Sequence, residues 1–315
     1  MTTAFIFPGQ GSQAVGMGKA LFDALPVARA VFEEVDEALG EKLSSTIFDG
    51  PEDALTRTRN AQPALMAVSL AAIRALEGEG VSVRTHASFV AGHSLGEYSA
   101  LAAAGSIVIG DAARLLRVRG DAMQKAVPEG VGAMAALLGL DLGAAEEVAR
   151  AAATADEVCE VANDNAPGQV VVSGHRAAVE RATVLAKGKG ARRAMMLSVS
   201  APFHCALMEP AAEVMANALA GTKIHAPAVP LVPNVTAEPL SDPTEIRQRL
   251  VEQVTGTVRW RESMSQLAAS GVTRFVEIGA GKVLSGLCRR IVPDATAVSV
   301  GSPDDIRALV AELKA

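Results

Sequence analysis

Gly92-His93-Ser94-Leu95-Gly96 is the stretch on which the reading of this chain turns. It has the form G-x-S-x-G. The apolar run Ala87-Ser88-Phe89-Val90-Ala91 leads in, and a good helix former, Glu97 to Ala104, leads out, with Gly105 as the stop. Strand, sharp turn and helix is the order that lifts a serine out of an α/β sheet. Glycines two residues to either side carry no Cβ to collide with the bend. The next N–H, that of Leu95, opens the helix and points outward, toward any negative charge that develops there. Ser94 is therefore a candidate nucleophile. The plainer alternative is an ordinary strand-to-helix turn that contains a serine.

Composition agrees with the layered fold this implies. Of 315 residues, 50% are hydrophobic and only 3% aromatic, a mix that suits close helix–sheet packing better than a β-sandwich. The net charge of −6 argues against general nucleic-acid binding. Met1 to Gln10 has no basic leader, and no apolar run reaches spanning length, so a soluble, unexported, cytoplasmic protein with no membrane partner is expected. Cys159, Cys205 and Cys288 are isolated and show no metal spacing, so reduced thiols and no metal are expected.

Upstream of the serine, Ala4-Phe5-Ile6-Phe7 reads as a buried strand and Pro8 to Gln13 as the loop after it. Gly9, Gly11 and Ala14 fit a dinucleotide-binding fingerprint. That fingerprint requires a second strand ending in an acid, whereas Val31 to Leu39 is amphipathic and helical. The loop is better used as a set of backbone N–H groups at a sheet edge. Asn60-Ala61-Gln62-Pro63 is expected to start a helix, with proline in its first turn, running to about Leu76.

Downstream, Asp111 to Lys125 reads as a helix. At helical periodicity Ala112, Leu116, Arg119 and Met123 share one stripe, with Arg114, Arg117 and Asp121 opposite. Arg114 and Arg117 are expected on the solvated face, Arg119 among apolar neighbours. A buried guanidinium needs an anionic partner. Either a protein carboxylate forms a structural salt bridge with it, or it clamps a carboxylate of a substrate. Residues 130–199 then run β-α-β-β-α-β: strand Gly132 to Leu138, helix Leu142 to Ala152, and strands Val158 to Ala162 and Gln169 to Ser173 about a polar turn, Asn163 to Gly168. Helix Ala177 to Lys187 and strand Ala194 to Val199 complete it. This is a ferredoxin-like unit of a size that suits insertion into a larger domain. Lys187, Lys189, Arg192 and Arg193 cluster near its last turn, a solvated face or a dock for an acidic partner.

His204 follows, at a strand-to-helix junction, where site residues gather in α/β folds. His93 adjoins Ser94 too closely to act easily as its base, and His86, His175 and His225 lie in connecting stretches. A serine nucleophile needing a base is thus best served by His204. Val229 to Val232 and Arg274 to Ile278 read as strands. Gly279-Ala280-Gly281-Lys282 imitates a phosphate loop, but Val276 and Val283 stand where that motif needs glycine and a hydroxyl, so it is a glycine turn into the helix Val283 to Arg290.

Phe7-Pro8-Gly9-Gln10-Gly11-Ser12-Gln13, Gly92 to Tyr98, Val118-Arg119-Gly120, Asn163 to Gly168, Phe203-His204 and Glu277-Ile278-Gly279 occur in this order. Over essentially its whole length the chain resembles the malonyl-CoA:acyl carrier protein transacylases and the related acyltransferase domains of polyketide synthases. The resemblance implies an α/β-hydrolase-like core with a mostly parallel sheet, residues 1–129 and 200–315, and the inserted ferredoxin-like subdomain, 130–199. It implies Ser94 as nucleophile and His204 as base, with oxyanion N–H groups from Gln10 and Leu95. It further implies that the backbone carbonyl of Gln253 orients the histidine and that Arg119 grips the malonyl carboxylate. Phe203, as in malonyl-type domains, and Asn163 join Gln10 in the substrate pocket. Malonyl-CoA and an acidic acyl carrier protein are the implied partners, and no cofactor is required. A polyketide carrier as acceptor and a serine thioesterase are the alternative readings.

Overall fold

The computed structural model describes residues 1–314. Five strands form a parallel sheet: β1 (Thr2–Phe7), β2 (Phe89–Gly92), β7 (Leu231–Val232), β8 (Val272–Ile278) and β9 (Thr296–Val300), in the order β7-β2-β1-β8-β9. A parallel sheet buries both faces, which requires continuous apolar runs rather than alternation. β1 meets this with Ala4, Phe5, Ile6 and Phe7 all fully buried. Helices cover both faces. The longest, Thr58–Gly78, buries nearly every residue from Ala61 to Leu76.

The second sheet is antiparallel: β3 (Gly132–Leu138), β4 (Cys159–Ala166), β5 (Gln169–His175) and β6 (Arg193–Met196), in the order β4-β5-β3-β6. Helices Leu142–Ala152 and Arg176–Gly188 connect them and bury their apolar stripes in a core of their own. The chain order is the β-α-β-β-α-β expected from the sequence. The architecture is therefore α/β, with a parallel sheet and a separate small antiparallel one.

Several expected boundaries move, each for a local reason. Asn163 to Gly168 is not a turn: β4 continues to Ala166, and only Pro167 and Gly168, the latter at φ 69°, turn the chain. The polar residues there look like loop sequence but bond to residues beyond the small sheet. Asn163 bridges Val258, the Asp164 N–H donates to Val258 O, and Arg261 holds the Asp164 carboxylate. The long helix begins at Thr58, so Pro63 lies inside it rather than in its first turn. Asn60 does not cap it, because its side chain donates to Ala54 O and accepts from Arg117. β6 ends at Met196, and Leu197, Ser198 and Val199 leave the sheet to line a cleft. The strand near Val229 shrinks to Leu231–Val232.

β1 and β2 run in step, with Phe7 opposite Gly92. Their carboxyl ends therefore release the Pro8–Gln13 loop and the Ser94 turn side by side, at the edge where ligands gather in open α/β sheets.

Candidate active site

Ser94 has φ 54°, a left-handed conformation that costs a non-glycine residue about 1 kcal/mol or more. The neighbouring glycines permit it. A Cβ on Gly92 would stand 1.9 Å from the Gly96 carbonyl, and one on Gly96 would stand 2.4 Å from Phe7 O. Side chains from distant loops hold the turn. Asn234 accepts the Ser94 N–H at 2.7 Å and donates to Gly92 O at 2.7 Å, while Gln253 donates to Ser94 O at 2.9 Å. The Leu95 N–H then stands at the mouth of the helix Gly96–Ala103.

Ser94 Oγ lies 2.8 Å from His204 Nε2, and His204 Nδ1 lies 2.9 Å from Gln253 O. A carbonyl only accepts, so Nδ1 carries the proton and Nε2 is free to take one from serine. Burial, with the Arg119 charge second, lowers the His204 pKa to about 3, which keeps the ring neutral. His204 itself has φ 59°, a second strained residue at the same site.

Arg119 is 1% exposed. Its Nη1 donates to Gln62 Oε1 at 2.8 Å, and its Nη2 donates to Gln253 Oε1 at 2.8 Å and reaches Ser94 Oγ at 3.2 Å. None of these partners is a carboxylate, so the structural salt bridge, one of the two readings open for this residue, is not what holds it. Burial lowers its pKa, opposed by Tyr98 and Glu97. Arg114 is exposed beside Asp111 as expected. Arg117 is not a solvated charge: it is half-buried between Glu41 and Asn60, tying two helices together.

Gln10, Ser94, Leu95, Arg119, Asn163, Phe203 and His204 all line one cleft of about 360 Å³ between the two sheets. Gln253 lies beneath it, fully buried. Gln10 turns its side chain to Thr58 Oγ1 at 3.1 Å. Among the described residues, neither the Gln10 nor the Leu95 N–H is taken by a backbone acceptor. His93 borders the same cleft, with its Nε2 2.8 Å from Asn165 Oδ1 and its ring against Trp260. Gln62, Asn234 and Glu97 were not anticipated as parts of this site. Gln62 lies in an alanine-rich helix that reads as plain core, and Asn234 in a turn where asparagine is commonplace. Nothing in either context separates a buried polar side chain from an exposed one.

Other features sit apart from the cleft. The three cysteines are unpaired and buried. Lys187, Lys189, Arg192 and Arg193 are exposed, with Lys189 paired to Glu147. Among the described residues no group of three or more metal-ligating side chains converges, and no helix is long and apolar enough to cross a membrane.

A serine at a strained turn, a neutral histidine on its hydroxyl and a buried cation beside both form a site for transferring an acidic acyl group. Comparison with known proteins reaches the same place. The chain is 46% identical over 311 residues to the malonyl CoA-acyl carrier protein transacylase of Bacillus subtilis, covering 99% of this chain and 97% of the relative. An acyl-carrier-protein-S-malonyltransferase from Bartonella henselae superposes with a TM-score of 0.98 at 56% identity, over 100% of both chains. A malonyl-transacylase solved in complex with its type II PKS acyl-carrier protein gives 0.95 at 41% identity, over 99% of this chain and 100% of that one. The acyl transferase domain model matches residues 4–302, nearly the whole length, and the chain accordingly belongs to the acyl transferase family.

Proposed function

We propose that this protein transfers the malonyl group of malonyl-CoA to the phosphopantetheine thiol of an acyl carrier protein, through an ester on Ser94. The observation that carries the reading is Arg119, a buried guanidinium without a protein carboxylate, 3.2 Å from the same hydroxyl that meets His204. An uncharged acyl chain has no use for such a cation, which argues against a general thioesterase. The names of the relatives support the same substrate and acceptor.

In the proposed cycle His204 Nε2 takes the Ser94 proton as Oγ attacks the thioester carbonyl. The oxyanion lies between the N–H groups of Gln10 and Leu95, each such donor contributing about 3 kcal/mol to barrier lowering. The C–S bond breaks, and His204 returns its proton to the departing coenzyme A thiolate. The carrier thiol then gives its proton to His204 and attacks the ester, and Ser94 regains a hydrogen as it leaves. Arg119 pairs with the malonyl carboxylate and fixes the carbonyl over Ser94. Phe203 and Asn163 border the acyl group. One thioester is exchanged for another, so the balance draws on no resident cofactor.

The two sheets support a division into a catalytic core, residues 1–129 and 200–315, and an inserted subdomain, 130–199, with the acyl group held between them. Three unpaired thiols are in keeping with the reducing cytoplasm as the place of action. A polyketide carrier as acceptor is a second reading with a specific support, the relative solved with one.

The test is intact mass after exposure to malonyl-CoA. One malonyl group is expected, located on the peptide containing Ser94, absent from Ser94→Ala, and discharged by a holo carrier protein but only slowly by water. Fatty-acid and polyketide carriers in parallel identify the acceptor. Rapid release of free malonate without an acceptor would make the protein a hydrolase.

A further inference from the structure

Glu97 takes no part in the chemistry above, yet it is a carboxyl group only 1% exposed, three residues beyond Ser94. Its Oε1 accepts the Asn234 N–H at 2.7 Å, and its Oε2 faces Gln253 Nε2. Gln253 is the hub of the site: Nε2 also donates to Ser94 O, Oε1 accepts from Arg119, and its main-chain carbonyl holds His204. Burial raises the Glu97 pKa against the pull of the Asn234 N–H and Arg119. Each oxygen faces an N–H donor, so in this geometry Glu97 is an acceptor at both.

We propose that Glu97 is a positioning residue: together with the Ser94 carbonyl it fixes which way the Gln253 amide faces and so keeps a hydrogen-bond acceptor against Arg119. The inference rests on the malonyl reading and deepens it. An amide can present its oxygen or its nitrogen at either end, and the two differ little in shape. Glu97 Oε2 and Ser94 O both accept at the same end of Gln253, so that end must be NH₂. The oxygen is then left for Arg119, which only donates. Two neutral amides, Gln62 and Gln253, thus pin the guanidinium without neutralising it, and the nearest carboxylate stands one amide away. Arg119 stays aimed at the cleft with its charge available to an acyl carboxylate.

Glu97→Gln is nearly isosteric and reverses this logic. The backbone N–H of Asn234 claims the new side chain's oxygen, which leaves an NH₂ against the NH₂ of Gln253. Turning Gln253 over would present a donor to Arg119 and set its oxygen against Ser94 O, so the side chain turns at that cost or draws away; either way the guanidinium loses its acceptor. If Glu97 acted only as a negative charge behind Arg119, its removal would instead tighten malonyl binding. The two accounts predict opposite signs.

The experiment compares wild type and Glu97→Gln in malonyl and acetyl transfer from their coenzyme A thioesters, with thermal melting alongside. The expected result is a loss of about tenfold or more in malonyl kcat/KM, carried mainly by KM, with acetyl transfer changed far less. An unchanged or lower malonyl KM, or an equal loss for both acyl groups, would overturn the proposal. Should the variant not fold, the Gln253 side-chain amide in wild type decides, its NMR signals identified by their absence from Gln253→Met. Two distinct, exchange-protected protons are expected; an averaged or freely exchanging pair would overturn it. If wild type transfers no malonyl group at all, the function itself falls, and the amide signals still report how Gln253 is held.

Discussion

Arg119 carries most of the specificity proposed for this protein, and its surroundings say how much. It shares the wall of the cleft with Ser94 and is held by two amide oxygens and the Ser94 hydroxyl, with no carboxylate among them. Truncating one partner of a buried, hydrogen-bonded charge pair costs about 3 kcal/mol, so Arg119→Ala should lose about a hundredfold in malonyl kcat/KM. Acetyl thioesters, which have no carboxylate to lose, should gain in relative terms. Steady-state rates on the two substrates check this, and a variant that keeps its malonyl preference removes the clamp. Ser94, His204 and Arg119 could be picked out in the sequence because each breaks its local context. They are a serine between bend-permitting glycines, a histidine at a junction, and a cation on an apolar stripe. Glu97, Gln62 and Asn234 break no such pattern. Their importance comes from partners 57 to 156 residues away, which sequence spacing does not reveal.

At the scale of elements, the turn bearing Ser94 depends on two close approaches of main chain. A methyl group on Gly96 would meet the carbonyl of Phe7, part of the sheet rather than a side chain that can swing aside. Gly96→Ala should therefore destabilise the protein by about 2–3 kcal/mol and displace the Leu95 N–H. Urea unfolding measures the first effect and the rate of acylation the second; a variant of native stability would show that the turn has room. Elements with one dominant signal were legible. β1 and β3 follow from their apolar runs and the helix Leu142–Ala152 from its apolar stripe. The far end of β4 did not, because its polar residues read as a turn although they pair with Val258 and Arg261, beyond the small sheet. Helices Pro243–Glu252 and Trp260–Ala269, β9 and the last helix, Pro303–Lys314, were not anticipated. They pack around a sheet whose extent depends on which strands pair, a fact of tertiary structure.

The whole molecule feels the site through pH. His204 is buried and neutral in the fold, with its pKa lowered from 6.5 to about 3. Between those values the unfolded chain binds a proton that the folded protein refuses. Stability from this group is therefore full above 6.5 and is lost progressively as pH falls toward 3. The urea midpoint of wild type should drop more steeply over that window than that of His204→Asn. Parallel curves would mean that the imidazole titrates freely in the native state. The division into two sheets was legible because a complete β-α-β-β-α-β set interrupts an otherwise parallel pattern. Their mutual grip was not: it runs through Asn163, Asp164 and Asn165, the last reaching His93 beside the nucleophile.

The step-for-step alignment of β1 with β2 has a further bearing on how such proteins diversify. The two peptide groups proposed to meet an oxyanion and the hydroxyl between them arise from loops that neighbouring strands release together, so their spacing is dictated by peptide geometry. Exchanging side chains that neither lie in those loops nor support them leaves that spacing alone. What can be rewritten is the guest: Arg119 arrives on a helix and Phe203 on the strand-to-helix junction before His204, outside those loops. The placing of the turn thus belongs to the peptide framework, while the groups that would choose one acyl group over another arrive from elsewhere in the chain and can be exchanged without redrawing the sheet.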